Sequence, residues 1–223
     1  MKKLACLILT AVLLLCSAMA ETAFVSIADD KGNLVVAGEA FDVSDADGDG
    51  VVSISDALFA AHEAKFDGGA EAGYLAADVG YGLSMQRLWG VENGGSYGYY
   101  INNASPISMA DAISDGDHIY AYAYTDLEMW SDTYSYFDTF LAVNSGELIL
   151  TLNAVMFDAD FKPVKMPIAG AVITIDGEDT EFVTDANGAV NVKLGEGDYY
   201  LISAHSDILT LVPPVCIVSG SAR

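Results

Sequence analysis

The chain has 223 residues, 52% of them hydrophobic, and carries 9 basic against 32 acidic residues for a formal net charge of −23. That balance excludes nucleic acid as a partner, since phosphate contacts need clustered Lys and Arg. It suits both the solubility of an exported protein and the binding of cations.

Lys2 and Lys3 precede an apolar run from Leu4 to about Ser17, and Ala18-Met19-Ala20 follows it. This predicts a secretory signal peptide over residues 1–20, cleaved after Ala20. The run is shorter than the roughly 20 residues of a spanning helix, so the mature protein is expected to be secreted rather than embedded in a membrane. Cleavage would lower the net charge to −25 and remove Cys6 and Cys16, leaving Cys216 alone in an apolar setting. A disulfide within the mature chain is thereby ruled out, and Cys216 reads as a small buried hydrophobe.

Alternation in TAFVSIADD and LVVAGEAF, joined by KGN, predicts an opening β-hairpin. The twelve residues DADGDGVVSISD, 45–56, come next. A calcium ion takes six to eight oxygen ligands, which such a loop supplies from positions 1, 3, 5, 7, 9 and 12 around a glycine at 6. Those positions hold Asp45, Asp47, Asp49, Val51 through its carbonyl, Ser53 and Asp56, with Gly50 at the turn. The donors are carboxylate, carbonyl and hydroxyl without histidine, which points to a structural Ca²⁺ ion rather than an activated water. Asp at the last position is shorter than Glu, so an affinity of order 10⁻⁴ to 10⁻³ M is expected. After the loop, ISDALFAAHEAKF places Ile54, Leu58, Ala61 and Lys65 on one helical stripe with Ala57 and Ala64 beside it, and Asp67-Gly68-Gly69 ends the helix.

Residues 70–96 are glycine-rich and carry no clear period, whereas YGYYINN and HIYAYAYTD predict strands. In the second, Tyr120, Tyr122 and Tyr124 fall on one face and Ile119, Ala121 and Ala123 on the other. The alanine face suits the Ala-rich helix. Two roles remain open for the tyrosines: with Trp89 nearby they form a stacking platform for a glycan, or residues 127–140 cover them as a second core layer. From about Ser145 only short strands and turns remain, as in a small β-sandwich. The boundary is expected near 143–147, giving domains 21–143 and 146–219.

Catalytic patterns are missing from the sequence. His62, His118 and His205 form no ligand or triad spacing, and the HEAKF at His62 has Phe66 where a zinc-protease helix needs its second histidine. The chain is therefore expected not to be an enzyme.

The 45–56 loop resembles an EF-hand loop, and because strand rather than helix leads into it, it also resembles the loops of dockerins, which implies an assembly role through a protein partner. The order hairpin, helix, LWG, GYYINN and ISDGDHIYAYAYTD, with the strand ending at Asn102-Asn103 and the Gly116-Asp117 turn, is similar to β-grasp-like domains of secreted bacterial proteins related to the C-terminal lobe of transcobalamin. That resemblance implies corrinoid binding as one alternative. Pro167, Gly170 and Ala171 opening a strand, the Thr184–Gly188 turn and Gly197 before Tyr199-Tyr200 look like the carboxypeptidase-regulatory or Cna B-type sandwich of cell-surface proteins, which implies a spacer or stalk. The expected fold class is α+β: a β-grasp-like antiparallel sheet with one helix, followed by an all-β Ig-like sandwich. The expected function is that of a secreted, calcium-stabilised, non-catalytic binding or structural protein, with glycan or corrinoid binding and dockerin-like assembly as alternatives.

Overall fold

The computed structural model describes residues 20–220 except 161, 196 and 198. The expected signal peptide lies outside the described residues apart from Ala20. The described chain is mostly β-sheet with two helices.

Strands β1 (Ala20–Ala28) and β2 (Leu34–Ser44) form the expected hairpin. The Asp29 carboxylate accepts the Lys31 and Asn33 amides and so closes its turn. The acidic loop then delivers the chain to helix α1 (Ile54–Lys65), where Ser53 is the N-cap. Ile54, Ala57, Leu58 and Ala61 are buried as the spacing requires, Ile54 and Leu58 each contributing about 1.5–3 kcal/mol relative to exposure. Lys65 and Ala64 depart from the expected stripe and lie exposed, Lys65 pairing with Glu39, while His62 is buried in their place.

The stretch without a legible period contains a short second helix, α2 (Gly69–Gly73), and a hairpin of β3 (Leu75–Asp78) and β4 (Leu83–Arg87). Strands β5 (Tyr97–Ile101) and β6 (His118–Ala123) complete a four-stranded sheet in the order β2-β1-β6-β5, with β1 and β6 parallel. On one face Ala23, Val25, Ile27, Ile119, Ala121 and Ala123 share a core with Ala57, Leu58 and Ala61 of α1. Small residues in the sheet let the helix approach closely, as the alternation in 118–124 predicts.

The rest of the chain forms two facing sheets. One contains β7 (Thr133–Phe137), β9 (Glu147–Phe157), β10 (Pro163–Pro167) and β15 (Leu211–Val212), with β13 (Ala189–Lys193) also on β9. The other runs β12 (Glu178–Val183), β11 (Val172–Ile175), β14 (Tyr199–His205), β16 (Cys216–Ser219) and β8 (Leu141–Val143). Leu150, Leu152 and Val192 meet Ile173, Ile202 and Cys216 between them. Residues 133–143 supply β7 and β8, which pair with β9, β15 and β16, so the chain changes sheet between Ala123 and Thr133.

The tyrosine face of the first sheet is not open. Tyr120 and Tyr122 are 1% and 2% exposed, packed with Tyr100 and Ala28 against Tyr134, Val212, Val215 and Ile217. Tyr100 stacks on Tyr134 with ring centroids 3.6 Å apart. The Tyr122 ring lies across Gly98 on β5, where a Cβ would come within 2.1 Å of it. Glycine there is a requirement of this packing.

Candidate metal centre

The hairpin and α1 hold the two ends of the 45–56 loop, and its own carboxylates shape what lies between. Gly50, at φ +92° in the left-handed region, donates its amide to Asp45 Oδ2 at 2.9 Å. Asp45 Oδ1 accepts the amides of Gly48 (2.7 Å) and Asp49 (3.1 Å), while Asp49 Oδ1 accepts that of Val51 (2.8 Å). These turns point the side chains of positions 1, 3 and 5 toward one another. Carboxylate oxygens of Asp45, Asp47 and Asp49 all lie within 4.8 Å of one another. Two oxygens on one calcium ion, each at 2.3–2.6 Å, are at most about 5 Å apart, so the spacing fits a single hard cation.

The electrostatics follow from that crowding. Amide donation by Gly50, then by Gly48 and Asp49, holds the Asp45 carboxyl below its ordinary value despite some desolvation. For Asp47 the Asp49 amide pulls downward, but desolvation and the charges of Asp49, Asp56 and Asp45 together push its carboxyl up. A cation between the three would relieve the repulsion.

Two of the other expected ligands, Ser53 and Asp56, also bond to each other at the start of α1. Asp56 is 3% exposed and forms a capping box: its Oδ2 accepts the Ser53 amide (2.8 Å) and hydroxyl (2.7 Å), and Ser53 Oγ accepts the Asp56 amide (3.3 Å). Asp56 Oδ1 accepts the Ala46 amide at 2.9 Å. The structure therefore brings together Asp45, Asp47 and Asp49, while Ser53 and Asp56 fasten the loop to the helix. Position 12 at a calcium loop's end and N3 of a capping box demand the same residue, which is why the sequence pattern alone does not separate the roles. The Val51 side chain stands at the surface of the loop.

Trp89, expected beside the tyrosines, sits on the opposite side of the sheet. It belongs with the α1 core, packed edge-on to Phe66 at 5.1 Å and 5.2 Å from His62. The platform of Tyr120, Tyr122, Tyr124 and Trp89 is thus not assembled, because the first two are core residues and the last belongs to another layer.

Two histidines that no motif singles out are polar struts. His62 Nδ1 donates to the Leu58 carbonyl (2.6 Å) and its Nε2 accepts the Trp89 amide (3.0 Å), a geometry that requires the neutral ring. Burial pushes it down to about 4 although the Leu58 carbonyl opposes the shift. His118 Nε2 lies 2.8 Å from Ser26 Oγ, which also accepts the Gly38 amide. His118 stacks on Phe140 at 3.8 Å, and burial holds it at about 3. The helical i, i+4 offset between Leu58 and His62 is the one sequence signal for the first, whereas the Ser26–His118 contact spans 92 residues and has none.

Comparison of the chain with protein-family models, with curated proteins and with solved structures finds no match.

Proposed function

We propose that this chain is a secreted, non-catalytic binding or structural protein whose first unit is fastened by one calcium ion at Asp45, Asp47 and Asp49. The observation that carries the reading is the mutual approach of these three carboxylates within 4.8 Å, in a loop whose amides already hold Asp45 in place. The ion acts as a staple between the end of β2 and the start of α1, since carboxylate oxygens of this kind suit a hard cation. The reading also takes the first unit as β-grasp-like, on the grounds of a hairpin, a helix and a last strand parallel to the first, and the facing sheets as an Ig-like sandwich suited to a spacer.

The test is thermal melting and native mass spectrometry with calcium and with chelator. At about 10 mM Ca²⁺ and the affinity of order 10⁻⁴ to 10⁻³ M, linkage gives a rise of roughly 3–10 °C in melting temperature. Asp49→Asn keeps an acceptor for the Val51 amide but loses the charge, and is expected to abolish the rise. An unchanged melting temperature together with no calcium adduct in the wild type would overturn the proposal.

A further inference from the structure

We propose that a cleft at the open edge of β5 binds a neutral saccharide. Strand β5 is an edge of the first sheet. Its ladder runs through the Tyr124 amide to the Ser96 carbonyl and the Asn102 amide to the His118 carbonyl, so even-numbered residues bond to β6. Antiparallel geometry therefore turns the peptide groups of Tyr99 outward. Around this edge the partly exposed Tyr97, Tyr99 and Tyr124, with Ser105 and the largely buried Tyr100 and Tyr122, line a cleft of about 190 Å³.

Charge and chemistry narrow the ligand. Among the described residues no charged side chain lines the cleft, in a chain with 32 acidic residues. An anionic ligand would be repelled by the surrounding field and a cationic one would find no partner inside. A wholly apolar ligand would leave phenol hydroxyls unpaired. The Tyr122 hydroxyl donates to that of Tyr124 at 3.3 Å, and the Tyr124 proton has no acceptor among the described residues. Flat rings tipped with hydroxyls match a sugar, whose C–H face stacks on an aromatic ring while its own hydroxyls exchange hydrogen bonds. The volume is below the 300–1,000 Å³ of pockets that enclose drug-sized ligands, so the cleft takes one ring of a chain that continues along the surface.

Trp130 extends the site. Its indole Nε1 donates to Ser96 Oγ at 3.2 Å, beside Tyr97 and one residue from the cleft wall, yet the side chain is 60% exposed. Its backbone has φ +49°, a genuine outlier for a bulky residue. The loop enforces it: Asp126 accepts the Glu128 and Met129 amides and the Ser131 hydroxyl, and Asp132 accepts the Thr125 amide and hydroxyl. An exposed aromatic held in place by its loop, next to a cleft of aromatics, suits a binding platform.

The experiment titrates the calcium-loaded protein with neutral gluco-, xylo- and manno-oligosaccharides, using calorimetry and affinity electrophoresis, with polygalacturonate as the charged control. At least one neutral series is expected to bind saturably and the control not to bind. Trp130→Ala is expected to weaken binding about tenfold or more, the effect of removing an aromatic anchor, with the melting temperature retained. Tyr124→Phe deletes only a hydroxyl and is expected to weaken binding severalfold without affecting folding. The proposal is overturned if no neutral series binds, if polygalacturonate binds as well, or if both variants bind like the wild type.

Discussion

Acidification between about pH 6.5 and pH 4.5 should destabilise this protein through His62. The Nε2 of His62 accepts the Trp89 amide, a backbone donor that cannot turn away, so a proton there sets two donors face to face in the core. The folded state therefore holds His62 at about 4 against an ordinary 6.5. A lowered histidine pKa favours the neutral form, so its stabilisation is complete above pH 6.5 and declines as pH falls toward 4. At about 1.4 kcal/mol per pH unit the whole interval amounts to about 3 kcal/mol, of which roughly 2 kcal/mol is lost by pH 4.5. His118, held at about 3, adds to the loss with the same sign. Asp45 and Asp126, both lowered, release their contributions only below the ordinary carboxylate range, so they do not enter this window. Urea unfolding at several pH values with calcium held constant measures the slope. His62→Gln can keep both hydrogen bonds without titrating, and is expected to flatten the slope by about one proton's worth. A flat wild-type profile, or an undiminished slope in the variant, would refute the reasoning.

Other perturbations test the packing between the two parts of the chain. Tyr120→Phe removes the donor 2.6 Å from the Pro213 carbonyl, and is expected to cost about 1–2 kcal/mol in denaturant unfolding. Gly98→Ala sets a Cβ against the Tyr122 ring and is expected to cost about 3 kcal/mol or more, and adding Tyr122→Ala should recover part of that loss in a double-mutant cycle, whereas simple additivity would contradict the contact. Burial pushes the Cys216 thiol up to about 12, so thiol reagents should label it only in denaturant; rapid labelling of the native protein would place it outside the core between the two facing sheets.

Features that depend on neighbours along the chain are legible in the sequence. The hairpin, the turns of the 45–56 loop, the start of α1 and the two faces of strand 118–123 all follow from patterns that act over a few residues. Even there, Asp56 shows a limit: one carboxylate answers to a metal-loop position and to a helix cap, and its distances to Ser53 and Ala46 show the cap.

Exposure and partnership were decided by tertiary structure, because both depend on residues far apart in the chain. The alternation of Tyr120 and Tyr122 with alanines specified that they share a face but not what covers it, and the cover comes from Tyr134 and from Val212, Val215 and Ile217 about 90 residues later. Strands 133–137 and 141–143 carry the same aromatic and aliphatic texture as those before them, yet their partners are β9, β15 and β16, so their sheet could not be read from composition. The sequence by itself determined an acidic, oxygen-donor loop set between a strand and a helix, since that is local chemistry. Long-range packing alone buried Tyr120, Tyr122 and Tyr100, and left Tyr99 and Tyr124 partly exposed at the edge of the sheet.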